Sequence, residues 1–153
     1  MKKILITLTL IVGCALFLHA KTPKDIFDTY EAETNAVLIS LDKSMLAAMA
    51  VNINNEERGK LDELNSITMI ELSECEQATK DRFAEDVSKL ELKNYEMLAR
   101  VTEDDQIAKV FGKVDGESVR DLVVIVTGKA FVLAIVDGVI NMSDVQNMIN
   151  LTK

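Results

Sequence analysis

Residues 122–126 (LVVIV) and 131–136 (FVLAIV) flank a short polar break at 127–129 (TGK), and these two apolar runs decide the fold. Two β-branched runs joined by so few residues predict adjacent antiparallel strands. Both runs are apolar at successive positions, which predicts strands inside a sheet whose two faces are both covered. Each large aliphatic side chain contributes roughly 1.5 to 3 kcal/mol when fully buried, before entropy is subtracted. The hairpin therefore supplies a large part of the core.

A transmembrane helix is the alternative interpretation of residues 119–140, because about 20 apolar residues can span a bilayer. Four charged residues fall inside that window: Arg120, Asp121, Lys129 and Asp137. Each charge is expensive in hydrocarbon, so the pattern favours the sheet.

The N-terminus has the pattern of a secretory signal peptide. Lys2 and Lys3 form a positive start, residues 4–18 are mostly apolar, and Ala20 supplies a small residue at the end. The apolar run is too short to span a bilayer comfortably. We expect a signal peptide at residues 1–20, one globular domain at residues 21–153, and a periplasmic location.

A lipoprotein leader competes with the signal peptide at the same place. Residues 11–14 (IVGC) match a lipobox, which would end the leader before Cys14 and make Cys14 the lipidated N-terminus. Residues 15–18 continue the apolar run past the cysteine, which favours the signal peptide. An outer-membrane or surface lipoprotein is the alternative, and lipidation of Cys14 is the only membrane attachment that we expect.

Charge and residue counts exclude several classes of function. Without Lys2 and Lys3, 15 basic residues remain against 25 acidic residues, a formal charge of −10, which disfavours binding to nucleic acid. The only histidine, His19, lies in the leader, which excludes Ser-His-Asp and Cys-His catalysis and histidine-based zinc sites. Cys75 is then the only thiol, so the domain has no disulfide.

The rest of the chain alternates between helix and strand patterns. Five helices are predicted. The first begins at Thr22-Pro23, the second follows a cap at Asp42 or Ser44, and the third covers residues 56–64. The fourth runs from a capping box of Ser73 and Glu76 to about residue 91, and the fifth follows a cap at Ser143 with Gln146. Strands are predicted at 36–41, 67–72, 95–102, 107–113, 118–126 and 130–136, the last ending at Asp137-Gly138. We expect a two-layer α+β sandwich, in which a mainly antiparallel sheet of about five or six strands packs against amphipathic helices. The N-terminal strand-helix units also suggest one or more parallel neighbours.

Three groups of residues could carry chemistry, and each has a simpler interpretation. Cys75 lies on the apolar stripe of the longest predicted helix, where a thiol is typically an inert core residue, although a helix N-terminus can lower its pKa. Met45 and Met49 are expected in the core, because two thioethers alone make a poor metal site. The acidic turns at 103–106 and 115–117 lack the spacing of a calcium loop. We therefore predict no catalytic, cofactor-binding or metal-binding residues.

A set of core and turn motifs spans nearly all of the domain: Lys24-Asp25-Ile26-Phe27-Asp28, Met45-Leu46, Tyr95-Glu96-x-Leu98, Val101, Asp104-Asp105, Val110-Phe111-x-Lys113, Asp121-Leu122-Val123-Val124, Gly138-x-Ile140-Asn141-Met142 and Asp144-Val145. This order resembles an exported Bacteroidetes family known as domain of unknown function 4252. Its members are typically small envelope proteins with leaders or lipoboxes, sometimes encoded beside sigma-factor systems. The resemblance implies a role in envelope regulation and brings no catalytic signature with it.

The leading hypothesis is an exported, non-enzymatic binding or regulatory domain whose partner is an envelope protein or a small ligand. One alternative is a carboxylate-dependent hydrolase that uses Asp104 with Asp105, or Glu85 with Asp86, as an acid/base pair. The other is an assembly module that pairs through an edge strand. Residues 107–113 are the candidate edge, because Lys109 and Lys113 are the kind of charge that protects one.

Overall fold

The computed structural model describes residues 21–150, with side chains to residue 147. The predicted signal peptide at residues 1–20 and the alternative lipobox with Cys14 lie outside the described residues. The helices are α1 (Pro23–Tyr30), α2 (Lys43–Met49), α3 (Asn55–Asp62), α4 (Gln77–Ser88) and α5 (Met142–Asn150), with a 3₁₀ turn at Ala50–Asn52. The strands are β1 (Val37–Asp42), β2 (Leu64–Glu71), β3 (Glu96–Glu103), β4 (Gln106–Asp115), β5 (Ser118–Thr127) and β6 (Val132–Asn141).

The six strands form one sheet in the order β1-β2-β6-β5-β4-β3, and every neighbouring pair is antiparallel. This confirms the predicted α+β fold, a mainly antiparallel sheet packed against helices. The predicted parallel neighbours are wrong for these six strands. Asp42, the last residue of β1, pairs with Ser66 near the start of β2. The segment with α2 and α3 therefore leaves the sheet and returns to it at the same end, and β2 runs antiparallel to β1.

One face of the sheet packs on α1 and α4, and we call it the α4 face. Val123 and Ile125 of β5 and Leu133 of β6 point to this face. The helices contribute Ile26, Phe27, Tyr30, Phe83 and Val87 to the same buried cluster. Val123 and Ile125 of the LVVIV run thus lie at the centre of the core on the α4 face.

The opposite face, which we call the α5 face, is covered less completely. Consecutive residues of a strand point to opposite sides, so Leu122 lies on this face, where it packs with Val119 and with Val145 of α5. Val124 and Val126 are only partly buried there. The expectation that both faces are fully covered is therefore wrong along this part of β5, because α5 lies over the end of the strand that contains Val119.

Two helix starts follow the sequence signals. Thr22 caps α1 through a capping box with Asp25, and Pro23 occupies the first helical position, as predicted. The Asp42 carboxylate accepts the Met45 backbone N–H at 2.9 Å and caps α2.

The capping box predicted at Ser73 and Glu76 is not formed. α4 begins at Gln77 and ends at Ser88, and Glu76 makes no side-chain capping bond. The Ser73 hydroxyl instead accepts the Phe131 backbone N–H at 3.2 Å, which joins the segment before α4 to the residue that precedes β6. A tertiary hydrogen bond therefore replaces the local one.

Two boundaries near the C-terminus also differ from the prediction. β6 continues through Asp137-Gly138 to Asn141, because β5 and β6 both shift register there and Gly138 adopts a φ of 148°. The cap of α5 is the Asn141 side chain, which accepts the Ser143 backbone N–H at 3.3 Å, so Ser143 is not the cap.

Among residues 21–150, no helix combines the length and the apolar character that crossing a membrane requires.

Candidate ligand-binding pocket

A pocket with a volume of about 360 Å³ opens on the α4 face, between the C-terminal half of α4 and strands β3, β4 and β5. Its apolar wall consists of eight residues: Ala84, Val87, Leu90, Leu92, Met97, Ile107, Phe111 and Ile125. The volume lies at the small end of the range of ligand pockets, which are typically apolar with a few polar groups.

The pocket exists because the helical layer is shorter than the sheet beneath it. α4 ends at Ser88, whereas β3 and β4 lie beyond the strands that α1 and α4 cover. The chain after α4 returns over the sheet through Leu90 and Leu92, which close one side. Ala84, a small residue on the sheet-facing side of α4, leaves room above β5.

Four polar side chains line the pocket: Ser88, Tyr95, Lys109 and Thr127. Lys109 is the only charged residue in the lining that the structure describes. It lies inside β4 and is directly opposite Arg100 of β3, so both cations are on the α4 face. Neither forms an ion pair with the side chains described for residues 21–147.

A third cation, Lys113, lies at the Tyr95 end of the pocket and is neutralised. Its Nζ is 4.9 Å from the centre of the Tyr95 ring and 3.0 Å from an oxygen of Asp121. The hydrogen bond to Asp121 raises the pKa of Lys113. Lys113 therefore has a structural partner, unlike Lys109.

Asp121 occupies the bulge of β5 in a left-handed conformation with a φ of 53°. Burial acts to raise the pKa of its carboxyl, but the hydrogen bond and the positive charge of Lys113, together with the Gly138 backbone N–H, outweigh burial and lower the pKa. The charged form of Asp121 is thus held in place, and with it the bulge that turns the end of β5.

The carboxylate pairs proposed for hydrolysis do not reach the pocket. Asp104 lies in the turn between β3 and β4 and pairs with Lys129 at 2.8 Å on the surface. Glu85 pairs with Lys89 at 2.6 Å, whereas Asp86 accepts a 2.8 Å hydrogen bond from the Tyr30 hydroxyl. Asp104, Glu85 and Asp86 thus have partners of their own, and neither pair lines the pocket.

Cys75 is 5% exposed and packs in the main core cluster, as the sequence predicts, but it precedes α4 and is not on a helical stripe. Burial raises the pKa of its thiol, as do Glu33 and Glu71. The pKa-lowering effect that a helix N-terminus could have is therefore overcome.

The prediction that Met45 and Met49 lie in the core is wrong. They are 50% and 59% exposed, whereas Leu46 between them is buried. α2 has only two turns and contacts β1, β2 and α3 at the margin of the sheet, so it buries a single narrow stripe. Among residues 21–150, no three histidine, cysteine, aspartate or glutamate side chains converge in a way that could hold a metal ion.

The predicted sheet edge at residues 107–113 is also wrong. This segment belongs to β4, which pairs with β3 on one side and β5 on the other. Its two lysines have other positions: Lys109 lines the pocket and Lys113 binds Asp121. The edges of the sheet are β1 and β3.

The two edges differ in chemistry. β3 carries Glu96, Arg100 and Glu103 and is bulged at Leu98, which are devices that protect an edge. β1 has no charge before Asp42, and Val37, Leu38 and Ile39 are 46%, 43% and 39% exposed. β1 is therefore an unprotected apolar edge, which the sequence did not reveal.

Comparison with known proteins agrees with the resemblance seen in the sequence. The family model "Domain of unknown function (DUF4252)" matches residues 30–148, which include all six strands and the whole pocket. The chain belongs to this family. Neither the curated proteins nor the solved structures contain a match to it. The function of this member of the DUF4252 family therefore has to be inferred from its own pocket, from the cation pair Arg100 and Lys109, and from the open edge at β1.

Proposed function

We propose that this domain is an exported, non-enzymatic binding module of the cell envelope, whose small ligand occupies the pocket between α4 and strands β3 to β5. The observation that carries the proposal is the apolar pocket of about 360 Å³ with a single charged lining residue, Lys109. Ligand sites typically combine an apolar wall with a few placed polar groups.

A binding role is favoured over a reaction by the polar groups of the lining. Tyr95, Ser88, Thr127 and Lys109 are suited to hydrogen bonding and charge recognition. General acid/base hydrolysis needs two groups with separated pKa values on either side of a substrate. None of the carboxylates proposed for that role lines the pocket, and three of them, Asp104, Glu85 and Asp86, are paired with other residues.

The proposed location is the periplasm, and the support for it is the leader pattern at residues 1–20. Radioactive palmitate supplied to growing cells tests this location. We expect no label on the exported protein. Label that disappears in Cys14→Ala would replace the periplasmic proposal with a lipid-anchored one, as in the lipobox-bearing members of the exported Bacteroidetes family.

The pocket itself is tested with two variants of neighbouring residues. Thr127 lines the pocket, whereas Val126, the preceding residue of β5, points to the α5 face. Thr127→Trp fills the pocket, and Val126→Trp adds the same side chain outside it. Binding of decanoate and of decan-1-ol, below the concentrations at which they aggregate, is followed by chemical shifts in NMR spectra.

We expect saturable binding of at least one of these two probes to the wild-type protein and to Val126→Trp, and about tenfold or weaker affinity in Thr127→Trp. The absence of saturable binding of both probes would refute the proposed pocket, and so would equal binding to the two variants. A second filling variant, Ser88→Phe, gives the same comparison from the side of α4 if Thr127→Trp does not fold.

A second candidate function, assembly through an edge strand, is favoured by β1. Its exposed residues Val37, Leu38 and Ile39 follow one another on an edge strand, which pairs with β2 on one side and with no described strand on the other. In an antiparallel pair of two copies centred on Ile39, Val37 would face Leu41 of the second copy, and no like charges would be opposed. The partner proposed for this edge is therefore a second copy of the chain.

Sedimentation velocity tests that assembly. We expect a dimer whose dissociation constant rises in Ile39→Lys, because a lysine at the centre of the strand opposes its own copy. Lys109→Met, which leaves β1 unchanged, is the control. A monomer at all concentrations would remove this candidate without affecting the pocket.

A further inference from the structure

We infer that the ligand of this pocket is a single-tailed amphipathic anion, with its apolar tail against α4 and its head group held by Lys109 and Arg100. This inference rests on the proposed function and names the class of ligand. It depends on the register of β3 and β4, on the charges around the pocket and on the pocket's size.

The register places the two cations side by side at the pocket. Arg100 and Lys109 are direct partners in the antiparallel β3–β4 pair, and their side chains therefore lie about 5 Å apart at Cβ on the same face. Lys109 lines the pocket and is partly buried, whereas Arg100 is exposed. The two cations therefore lie at the mouth of the pocket, between its lining and the surface. The head group of an amphiphile whose tail is buried in the pocket would lie at the same place.

Like charges directly opposite one another destabilise a strand pair. Cations near the two ends of β4 have acidic partners: Lys113 binds Asp121, and Lys129 binds Asp104. Arg100 and Lys109 have none among the side chains that the structure describes, although acidic residues outnumber basic ones in the chain. An anion bound between them would remove the repulsion.

The lining selects for one sign of charge. α4 contributes Ala84, Val87 and Ser88, and β5 contributes Ile125 and Thr127, all of them uncharged. Lys109 therefore sets the potential of the pocket, and no carboxylate of the described lining opposes an anion. A carboxylate or a phosphate monoester could accept hydrogen bonds from the guanidinium fork of Arg100 and from the ammonium of Lys109 at once.

The volume limits the length of the tail. At roughly 30 Å³ for each water-sized group, a pocket of 360 Å³ holds about a dozen non-hydrogen atoms, the size of decanoate. A single tail of about ten carbons is therefore the size of ligand that fits.

Four probes with the same tail test the inference by isothermal titration calorimetry: decanoate, decyl phosphate, decan-1-ol and decylammonium. We expect one or both anions to bind about tenfold or more tightly than the alcohol, with the ammonium weakest, because charge-assisted hydrogen bonds form only with an anion. The stronger of the two anions identifies the head group as a carboxylate or a phosphate monoester. Equal affinity for anions and alcohol would overturn the inference and leave the proposed pocket intact, whereas failure of all four probes would overturn both.

Variants locate the head group. Lys109→Met and Arg100→Met should each lower the ratio of the affinity for the preferred anion to the affinity for decan-1-ol. Lys109→Arg should restore most of the preference. Lys129→Met removes the same charge from a surface pair outside the pocket and is the matched control. Equal losses in Lys129→Met and Lys109→Met would show that only the overall charge matters, and would contradict the assigned position.

Discussion

The Tyr30 hydroxyl donates a 2.8 Å hydrogen bond to Asp86, which joins α1 to α4 between residues 56 positions apart. The same carboxylate pairs with Lys21 at 2.5 Å, and the Tyr30 ring packs edge-on against Phe83 with ring centres 5.6 Å apart. The two helices that cover the α4 face are therefore held together by a polar contact at the margin of an apolar one.

Tyr30→Phe should lower the free energy of unfolding by about 2 kcal/mol at neutral pH, because a hydrogen bond to a charged group is lost. Burial and the Asp86 hydrogen bond raise the pKa of Tyr30 in the folded state. The unfolded pKa is about 10, so this stability is fully present below about pH 10 and is lost as the pH rises toward the folded pKa. Urea denaturation at neutral and alkaline pH should show a steeper alkaline loss in the wild type than in Tyr30→Phe, and parallel losses would contradict this.

Two glycines should respond in opposite directions to alanine. Gly59 lies in α3 with nothing within 4 Å of an added Cβ, so Gly59→Ala should stabilise by about 0.5 to 1 kcal/mol. Gly138 has a φ of 148°, and its added Cβ would lie 2.6 Å from the Glu63 carbonyl oxygen. Gly138→Ala should destabilise by at least about 1 kcal/mol. Urea midpoints measure both changes, and the same sign for the two would contradict the bulge at the end of β6.

Cys75 should resist alkylation in the folded protein. Its thiol is buried and its pKa is raised, so both access and the thiolate population are reduced. In a Cys14→Ala background, we expect iodoacetamide to react more than about tenfold more slowly with the native chain than with the chain in urea. Reaction at similar rates in the two states would indicate an accessible thiol and would reopen the possibility of cysteine chemistry.

Asp121→Asn should lower the free energy of unfolding at neutral pH, and it should make that free energy less dependent on pH in the acid range. The pKa of Asp121 is lowered in the folded state, so its contribution is present above the unfolded pKa of about 3.9 and is lost as the pH falls through the folded value. Asparagine tolerates the left-handed conformation, so the variant removes the charge with little added strain. Urea midpoints of variant and wild type should converge in acid, and Asp105→Asn, on an exposed turn, should change little at either pH.

The fold could be predicted because its signals are local and strong. The two apolar runs of β5 and β6 and the caps at Thr22 and Asp42 depend only on neighbouring residues. The capping box at Ser73 failed because the same hydroxyl found a partner 58 positions away, on Phe131. A motif of neighbouring residues does not show whether a distant residue competes for the same side chain.

The site depends on pairing that a single sequence does not contain. Lys109 alone looks like a charge on an edge strand, and only the register with β3 places it opposite Arg100 and beside Phe111 at the pocket. The one sequence signal that could have indicated Lys109 as a site residue was its position in a mostly apolar strand. Likewise, β1 became the open edge because β2 pairs with β6, a contact between distant segments of the chain.

The most direct test of the proposed pocket is methyl NMR of the protein during titration with decanoate. The methyl groups of Val87, Ile107 and Ile125 line the pocket, whereas those of Val124 and Val126 lie on the α5 face. We predict that the first group shifts together and saturates while the second stays in place. Shifts confined to Val124 and Val126, or no saturable shift in either group with decanoate or with decyl phosphate or decan-1-ol in its place, would contradict the account.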